Sequence, residues 1–410
     1  MLLFVESTPT GVGMSLVRWA VDHAIDAAYV TDRSVPAAKT LLAGEVLDEL
    51  ERRGRVFELA STKTAVVPDG LVAEILTAGG PMGVICSLDQ SLEFAAVLAQ
   101  RVGAPHPSPQ AVRTIRDKRA ARRFYTRAGI PNLRWNAPGS AGELVSFVES
   151  LDGPAVVKNC RGTGSLDVRL VRDADEAVLA FGELSGERRY MGGELLAEEY
   201  VQGPLYSLET LVVDGRCHHL GITDRQLGPN PAFCEVSYSF PVQLPAQVED
   251  AMRKAVETCT AALGIPQGML HTEFVVTAGG PLIIETNMRL AGAAAPLMMN
   301  DCLQSPIAAI LAAAALGRPL PPTGLNGRGS TTMTVYPPVA GKLSAVHGID
   351  EAGRAPFVTQ VLPGAAVGEK VSPPVDFRGH LCQIRTVADS VNLSFNAAIA
   401  AARDIRAEVE

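Results

Sequence analysis

Two glutamates in the segment 271–289 are spaced so that they can face each other across a β-hairpin. The segment alternates polar and apolar residues, and a glycine-containing stretch at Ala278–Gly280 predicts the turn between its two strands. With that turn, Glu273 lies directly opposite Glu285. Carboxylates directly opposite each other in a sheet repel, and a divalent cation between them would remove the repulsion. The spacing therefore predicts a metal site on this hairpin.

The same face of the hairpin carries further residues suited to phosphoryl transfer. Asn287 adds a third hard oxygen to the two glutamates, a set that suits Mg²⁺, or Mn²⁺, shared with nucleotide phosphates. Arg289 could neutralise a transferring phosphoryl group, and the unperturbed pKa of a histidine makes His271 a candidate general base. Two alternatives stay open: a solvated polar face on an exposed hairpin, and a structural role for the histidine. The opposite face is expected to pack the core through four apolar residues: Phe274, Val276, Leu282 and Ile284.

A lysine and a glycine-rich loop precede this hairpin in the chain. An apolar strand, 155–158, ends at Lys158, and the loop after it leads into another strand. Glycines let backbone N–H groups approach phosphate oxygens closely. We therefore expect a β-hairpin flap over a triphosphate, with Lys158 reaching the phosphates; the alternative is an ordinary glycine-rich turn. The expected flap residues are Gly162, Thr163, Gly164 and Ser165.

The first hundred residues contain the elements of a separate α/β layer. Short apolar strands alternate with amphipathic helices there, a rhythm that predicts a doubly wound, Rossmann-like parallel sheet. Strands are expected near 2–6, 28–30, 66–67 (Val66-Val67) and 84–87.

Proline-rich linkers divide the chain into three expected domains. The stretch Pro105–Pro109 ends the α/β layer, and a strongly basic helix containing Lys118 is expected over 111–128. Hairpins then dominate an α+β region until a second linker at 319–329, which is followed by a small α+β domain. The expected domains are 1–108, 109–318 with a flap subdomain over about 133–200, and 319–410.

The composition excludes several classes of protein. The 410 residues carry a net charge of −8, so no basic excess is present to bind a nucleic-acid backbone. The longest apolar stretch, 307–316, is too short to span a bilayer, and the N-terminus lacks the features of a signal peptide. Seven scattered cysteines without a CxxC pair argue against disulfides or a zinc site. These features predict a cytoplasmic protein without nucleic-acid or membrane partners.

Taken in order along the chain, these motifs resemble the ATP-grasp superfamily, in which a nucleotide lies between two α+β subdomains. The resemblance covers roughly 105–300. It implies that Lys118 and Lys158 contact the phosphates and that 162–165 form a mobile flap over them. It also implies a hinge segment that contacts adenine, made of Glu198, Glu199, Tyr200 and Val201. The contact is largely through the backbone of Glu199 and Val201.

The resemblance extends to the hairpin at 271–289. Glu273, Glu285 and Asn287 match the metal ligands of the superfamily, and Arg289 matches the arginine near the γ-phosphate. Many members have an acidic residue for the ribose hydroxyls shortly after the hinge, but this chain has a leucine there. Glu209 is the nearby residue that could take this role.

Within the superfamily, the chain is similar to the amino-acid ligase, or carboxylate–amine ligase, branch. The motif His271-Thr-Glu is common in that branch, and the loop from Arg225 to Glu235 corresponds to one that lies near the substrate. These two charged residues are the expected substrate contacts. The segment 330–410 resembles the closing C-terminal domain of biotin carboxylase-like members.

The resemblance implies an enzyme that phosphorylates a carboxylate with MgATP and lets an amine attack the acyl phosphate, releasing ADP and phosphate. Amino acids are the expected acid and amine, and a homodimer through the N-terminal domain is compatible with the sequence. Three alternatives remain: a relative that phosphorylates bicarbonate, a nucleotide-binding module without turnover, and a ligase with a protein substrate. The intact metal-ligand set argues against the second of these.

Overall fold

The structure, a computed structural model, describes residues 1–7, 13–33, 41–164, 166–186, 194–292, 294–375 and 378–410. The described N-terminal elements are β1 (Leu2–Val5), α1 (Gly13–Asp22), β2 (Ala27–Thr31), α2 (Leu41–Arg52), β3 (Val56–Glu58), α3 (Asp69–Thr77), β4 (Gly83–Cys86) and α4 (Leu92–Val102).

The N-terminal strands form a four-stranded parallel sheet in the order β3-β2-β1-β4. Helices cover both faces of the sheet, and its central strands are therefore apolar and buried along their whole length. Leu3 and Val5 pack into one apolar cluster, whereas Leu2 and Phe4 pack into a second cluster on the other face. The expected doubly wound parallel sheet is confirmed.

The sequence prediction of a strand at Val66-Val67 is wrong. The strand beside β2 is β3, which follows α2 after a short turn, and the backbone at 66–67 lies outside the sheet. β-Branched residues favour an extended backbone wherever they occur. Here they lead into Pro68, the N-cap of α3, and Val66 is exposed to solvent.

The next segment forms two helices and, after them, a small antiparallel sheet with two further helices. Its strands pair in the order β5-β8-β6-β7 and are antiparallel, and they pack with two helices around an apolar cluster of their own. The elements are α5 (Pro109–Arg116), α6 (Lys118–Arg127), β5 (Trp135–Asn136), α7 (Ala141–Glu149), β6 (Ala155–Asn159), β7 (Arg169–Val171), α8 (Ala174–Gly186) and β8 (Leu195–Glu199).

The single basic helix expected over 111–128 is in fact two helices, α5 and α6. Asp117 interrupts it with an extended backbone, and its carboxylate accepts hydrogen bonds from the N–H groups of Arg119 and Ala120. Aspartate is favoured at this position because it satisfies N–H groups that have no partner in a first turn. The break makes Lys118 the first residue of α6, where its own N–H donates to the Cys160 carbonyl beside the glycine loop.

The rest of the chain contains β9 (Leu205–Val213), β10 (Arg216–Leu227), β11 (Glu235–Val242), α9 (Ala246–Leu263), β12 (Gln267–Thr277), β13 (Gly280–Asn287), α10 (Ala295–Cys302), α11 (Ile307–Ala315), β14 (Gly329–Val335), β15 (Gly341–His347), α12 (Ile349–Arg354), β16 (Val358–Pro363), β17 (Lys370–Val371), β18 (Cys382–Ala388), α13 (Val391–Ala402) and β19 (Arg406–Val409).

Eight strands form an antiparallel sheet in the order β13-β12-β9-β10-β11-β14-β18-β16. Its ladder passes from β11 to β14 and so crosses residue 319, where we expect the C-terminal domain to begin. A small sheet, β17-β15-β19, has its own apolar cluster. The mixed α/β and α+β architecture is confirmed, and the domain boundaries stay predictions. No helix in the described ranges is long and apolar enough to cross a membrane.

Candidate active site

The hairpin of β12 and β13 brings the two predicted carboxylates face to face. Glu273 pairs with Glu285, and His271 pairs with Asn287, in an antiparallel register that confirms the predicted alignment. The glutamate side chains are 17% and 24% exposed, so solvent reaches them. Contacts of Oε1 with Lys118, Arg225 and His271 hold the two carboxylates in place. Both glutamates are therefore oriented on a face that solvent reaches.

Nearer its turn, the hairpin departs from the predicted register. The turn has two residues rather than three, Phe274 pairs with Ile283, and Ile284 is left over as a β-bulge. Because a shift of one residue exchanges the faces of a strand, Ile283 packs in the core with Phe274. The prediction of core residues is wrong for three of the four, which are only half-buried: Val276, Leu282 and Ile284.

The donors on this hairpin suit Mg²⁺ bound together with a nucleotide. Among the described residues, no group of three or more His, Cys, Asp or Glu side chains is arranged to hold a metal. The third protein donor here would be the amide oxygen of Asn287, beside Glu273 and Glu285. Mg²⁺ in nucleotide sites takes few protein carboxylates and completes its shell with waters and phosphate oxygens. The donor set fits that kind of site.

Lys118 connects the β12–β13 hairpin, called the metal hairpin below after its predicted ligands, to the predicted flap at 162–165, the glycine loop. Its Nζ donates a hydrogen bond of 2.6 Å to the carbonyl oxygen of Gly162 and lies 3.1 Å from Glu285 Oε1. The side chain is buried, which holds the ammonium group between these two acceptors. One predicted phosphate lysine therefore touches both the predicted flap and a predicted metal ligand.

The predicted flap lies between β6 and β7, which pair as an antiparallel hairpin. Gly164 has a φ of +66°, in the left-handed region that glycine adopts without strain. Gly162 and Thr163 precede it, and the Thr163 carbonyl accepts from the Leu166 N–H. Ser165 falls outside the described residues.

Lys158 contacts the hinge segment, 198–201, at the side chain of Glu198. Its Nζ lies 2.6 Å from Glu198 Oε2, and Arg122 of α6 donates from Nε to the other carboxylate oxygen. Burial by itself raises the pKa of Glu198, but the two cations outweigh burial and lower this pKa to about 2. The Glu198 side chain is therefore ionised at neutral pH and is shared by two buried cations.

The hinge backbone is partly used within the protein. The N–H of Glu199 donates to the Arg134 carbonyl, and the N–H of Tyr200 donates to the Pro154 carbonyl, both at 2.9 Å. These two donors are occupied. A contact with an adenine edge would therefore use carbonyl oxygens of this segment or the N–H of Val201, and the assignment stays a prediction.

Arg289 forms an ion pair with the N-terminal layer. Its Nε and Nη2 donate to the two carboxylate oxygens of Asp89, at 2.8 and 2.6 Å. Arg116 of α5 lies 3.5 Å from the same carboxylate. Burial raises the pKa of Asp89, but Arg289, together with Arg116 and Lys118, outweighs burial and holds this pKa below its usual value. The predicted phosphoryl-neutralising arginine is thus oriented by a residue of the N-terminal layer, 200 residues earlier in the chain.

A buried cluster of charges lies on β9 to β12 beside the carboxylate pair. His271 Nδ1 lies 2.8 Å from Glu209 Oε1, and Nε2 of the same ring lies 2.7 Å from Arg225 Nη1. Arg225 also contacts Glu273 at 2.7 Å and forms an ion pair with Glu235. The structure brings together the predicted base, the predicted ribose contact and both predicted substrate contacts.

The protonation of His271 depends on two opposing sets of contacts. Burial lowers its pKa, but Glu209 and Glu273 outweigh burial and raise the pKa to about 9. Arg225 is a permanent donor, so it can donate to Nε2 only while the ring is neutral, and this contact favours the neutral form. Two carboxylates against one guanidinium favour the protonated ring at neutral pH. A protonated ring accepts protons poorly, and the role of His271 as a base stays a prediction.

Sequence reasoning missed two residues of this site, Asp89 and Arg122. Asp89 lies just beyond the carboxyl end of β4, the edge at which open parallel sheets bind ligands, and that rule could have found it. Arg122 lies one turn after Lys118, on the same face of α6. Nothing local distinguishes it from the exposed arginines of this basic helix.

Two family models match the chain. The model of the ATP-grasp domain matches residues 151–296, and the model of the L-amino acid ligase C-terminal domain 2 matches residues 333–410. Residues 151–296 therefore contain an ATP-grasp domain. The first match includes the metal hairpin, Lys158 and the hinge, whereas Lys118 and Asp89 lie before it.

Two relatives and one solved structure are similar to this chain over more than half of its length. An uncharacterized protein of Sinorhizobium fredii, y4rH, is 27% identical over 366 residues, which is 88% of this chain and 71% of that protein. Carnosine synthase 1 of Homo sapiens is 28% identical over 54% of this chain, and the match covers only 29% of the synthase. The crystal structure of L-amino acid ligase from Bacillus licheniformis superposes with a TM-score of 0.80 at 20% identity, covering 100% of this chain and 98% of that one.

Proposed function

We propose that the protein is an ATP-dependent carboxylate–amine ligase that joins amino acids through an acyl phosphate. The observation that carries this proposal is the hairpin on which Glu273 faces Glu285, with Lys118 in contact with both the hairpin and the glycine loop. These groups come from three separate segments of the chain. Together they can hold a triphosphate and a divalent cation side by side.

The residues around the hairpin divide the work of binding MgATP. Glu273, Glu285 and Asn287 would hold Mg²⁺, or Mn²⁺, which supplies positive charge against the reacting phosphates. Lys118 and Lys158 would contact the phosphates beneath the flap. Both ammonium groups are already held in position by acceptors, so little side-chain entropy would be lost on binding.

The base and the sugar of the nucleotide would lie against the hinge. Residues 198–201 would contact adenine through their backbone, at the junction of β8 and β9. Glu209 is proposed for the ribose hydroxyls, although it is buried and bonded to His271 in this structure. A ribose contact would therefore have to compete with that bond.

The proposed reaction has two steps. A carboxylate oxygen of the acid attacks the γ-phosphorus of ATP, and the bond to the β-phosphate oxygen breaks to release ADP. The amine nitrogen then attacks the acyl carbon, phosphate leaves with the C–O electron pair, and the nitrogen loses a proton. Arg289 would neutralise the transferring phosphoryl group. Arg225 and Glu235 would bind charged ends of the substrates.

Amino acids are the proposed substrates for two reasons. Relatives include a carnosine synthase and an L-amino acid ligase, and residues 333–410 match a domain of the latter family. The site also pairs a cation, Arg225, with a carboxylate, Glu235, which suits the zwitterionic groups of an amino acid. This combination favours an amino-acid ligase over a relative that phosphorylates bicarbonate.

Release of ADP from the purified chain tests the proposal. The chain is incubated with Mg²⁺, ATP and a matrix of amino-acid pairs, with Glu285→Gln as the inactive variant and Glu183→Gln, an exposed glutamate of α8, as the matched control. We expect release that needs both an acid and an amine, that is lost in Glu285→Gln and that is kept in Glu183→Gln. Release with bicarbonate alone would contradict the amide-ligase proposal.

A further inference from the structure

Arg122 is the bulkiest of the fully buried side chains in the described part of the chain, with 2% of its surface exposed. It lies on α6, one turn after Lys118 and on the same face. A buried arginine requires partners for its charge and its donors, because an unpaired buried cation is strongly destabilising. The partners of Arg122 therefore indicate what it does.

Those partners belong to the hinge and to the metal hairpin. The Nε of Arg122 donates to Glu198, and Nη1 donates to Asn132 at 3.1 Å. The guanidinium also donates to two successive carbonyl oxygens, Ile283 at 2.6 Å and Ile284 at 2.9 Å. In a regular strand, successive carbonyls point to opposite sides. One guanidinium can reach both only because Ile284 is the extra residue of the bulge.

The bulge determines which residues face the metal site. On the turn side of the bulge, Phe274 pairs with Ile283. On the side away from the turn, Glu273 pairs with Glu285. Without the extra residue, continuation of the ladder from the turn would pair Glu273 with Ile284. Because a slip of one residue moves a strand's side chains to the other face, Glu285 and the residues after it would leave the site.

We propose that Arg122 is a positioning residue for the metal ligands: it holds the two bulge carbonyls and so keeps Glu285 and Asn287 on the face of Glu273. The pairing with Glu198 fixes the guanidinium in the orientation that this requires. Tyr125, also on α6, donates to the Thr286 hydroxyl between the two ligands, so the helix contacts the strand on both sides of Glu285. The inference rests on the proposed nucleotide and metal site, but its test needs no turnover.

The test compares metal affinity in the full-length chain. The Kd of Mn²⁺ is measured by electron paramagnetic resonance in the presence of a saturating non-hydrolysable ATP analogue. Arg122→Lys keeps a positive charge beside Glu198 but cannot donate in a fork to both carbonyls. We expect the Kd of Mn²⁺ to rise about 10- to 100-fold, the range for loss of groups that orient metal ligands.

Two control variants separate positioning from general stability. Phe124→Leu removes core volume on the same helix and is expected to lower the melting temperature without changing the Kd of Mn²⁺. Arg127→Lys changes an exposed arginine of α6 and is expected to change neither quantity. If Arg122→Lys lowers the melting temperature and leaves the Kd of the folded protein unchanged, the positioning role is wrong.

A second variant covers the case in which Arg122→Lys does not fold. Asn132→Ala removes one acceptor of the guanidinium and leaves its charge paired; the Kd of Mn²⁺ is expected to rise about three- to tenfold, and an unchanged Kd overturns the proposal. If the unmodified chain binds neither the analogue nor Mn²⁺, the proposed function is wrong and the role of Arg122 with it. If the unmodified chain binds both and neither variant changes the Kd of Mn²⁺, the role of Arg122 is wrong but the proposed function is not.

Discussion

The ion pair between Asp89 and Arg289 should make activity depend on a residue of the N-terminal layer. It is bidentate, with distances of 2.8 and 2.6 Å, and the two side chains are 12% and 14% exposed. Asparagine at position 89 would keep the size of the side chain. It would remove the charge and turn one acceptor into an NH₂ group that faces a guanidinium N–H.

The expected loss follows from burial and geometry. A hydrogen bond to a charged group contributes about 1.5–3 kcal/mol, and breaking a buried ion pair costs about 3–5 kcal/mol. Partial exposure lets water replace some of the contact, so we expect Asp89→Asn to lower the free energy of unfolding by about 2–3 kcal/mol. Displacement of Arg289 by about 1 Å should also lower kcat about 10- to 100-fold, with the KM for ATP little changed.

Urea unfolding and steady-state ADP release measure these two quantities. Asp69→Asn is the matched control, because Asp69 also pairs with an arginine, Arg101, but is 95% exposed. Its effect on the free energy of unfolding should be about 0.5 kcal/mol or less. If Asp89→Asn unfolds like the unmodified chain and keeps its kcat, neither stability nor activity depends on the ion pair. A loss of stability with an unchanged kcat would mean that the ion pair stabilises the fold but does not position Arg289 for the reaction.

Three further outcomes are expected. Removing divalent metal with EDTA should abolish ADP release and Mn²⁺ should restore it; metal-independent release would contradict the proposed site. The pKa of Glu198 is lowered from 4.5 to about 2. Its stabilisation is therefore complete above pH 4.5 and is lost as the pH falls toward 2, a change of about 3 kcal/mol. In Glu198→Gln, the free energy of unfolding measured in urea should fall less between pH 4.5 and 2. An unchanged fall would contradict this role of Glu198. Gly83→Ala places a Cβ 2.1 Å from the Ala315 carbonyl and should lower the free energy of unfolding by about 1–3 kcal/mol. Gly70→Ala, with nothing within 4 Å, should not, and equal urea midpoints for the two variants would be inconsistent with this packing argument.

The metal hairpin could be predicted from the sequence because its polar and apolar residues alternate. The predicted pairing of Glu273 with Glu285 is nevertheless right only because two departures cancel. The turn is one residue shorter than expected, and the bulge at Ile284 adds one residue back. Nothing local indicates the bulge, since the side chain that holds its carbonyls, Arg122, lies 161 residues away from Ile283 in the chain. Alternation indicated the shared face of Glu273 and Glu285, whereas the register and the faces nearer the turn depend on a long-range contact.

Other errors arose where a local rule applied but was not used. Asp117 has the residue type that begins helices, and applying this preference would have split the basic helix at the right place. Asp89 lies beyond the carboxyl end of a parallel strand, the usual edge for ligands. Its partner Arg289 is 200 residues away, so no periodicity could have paired them. The strands and helices were predictable from nearby residues, but the partners of the charged side chains were not.

The charges of the candidate site explain why metal and nucleotide should bind together. Each predicted phosphate- or substrate-binding cation contacts a carboxylate: Lys118, Lys158, Arg225 and Arg289. Such pairing makes buried cations stable, but the same carboxylates repel a triphosphate. A divalent cation at Glu285 would compete with Lys118 for that carboxylate and release the ammonium group toward the phosphates. Glu273, Glu285 and Asn287 would hold the metal, and its positive charge would offset the repulsion between these carboxylates and the nucleotide; by linkage each ligand should raise the affinity of the other by the same factor.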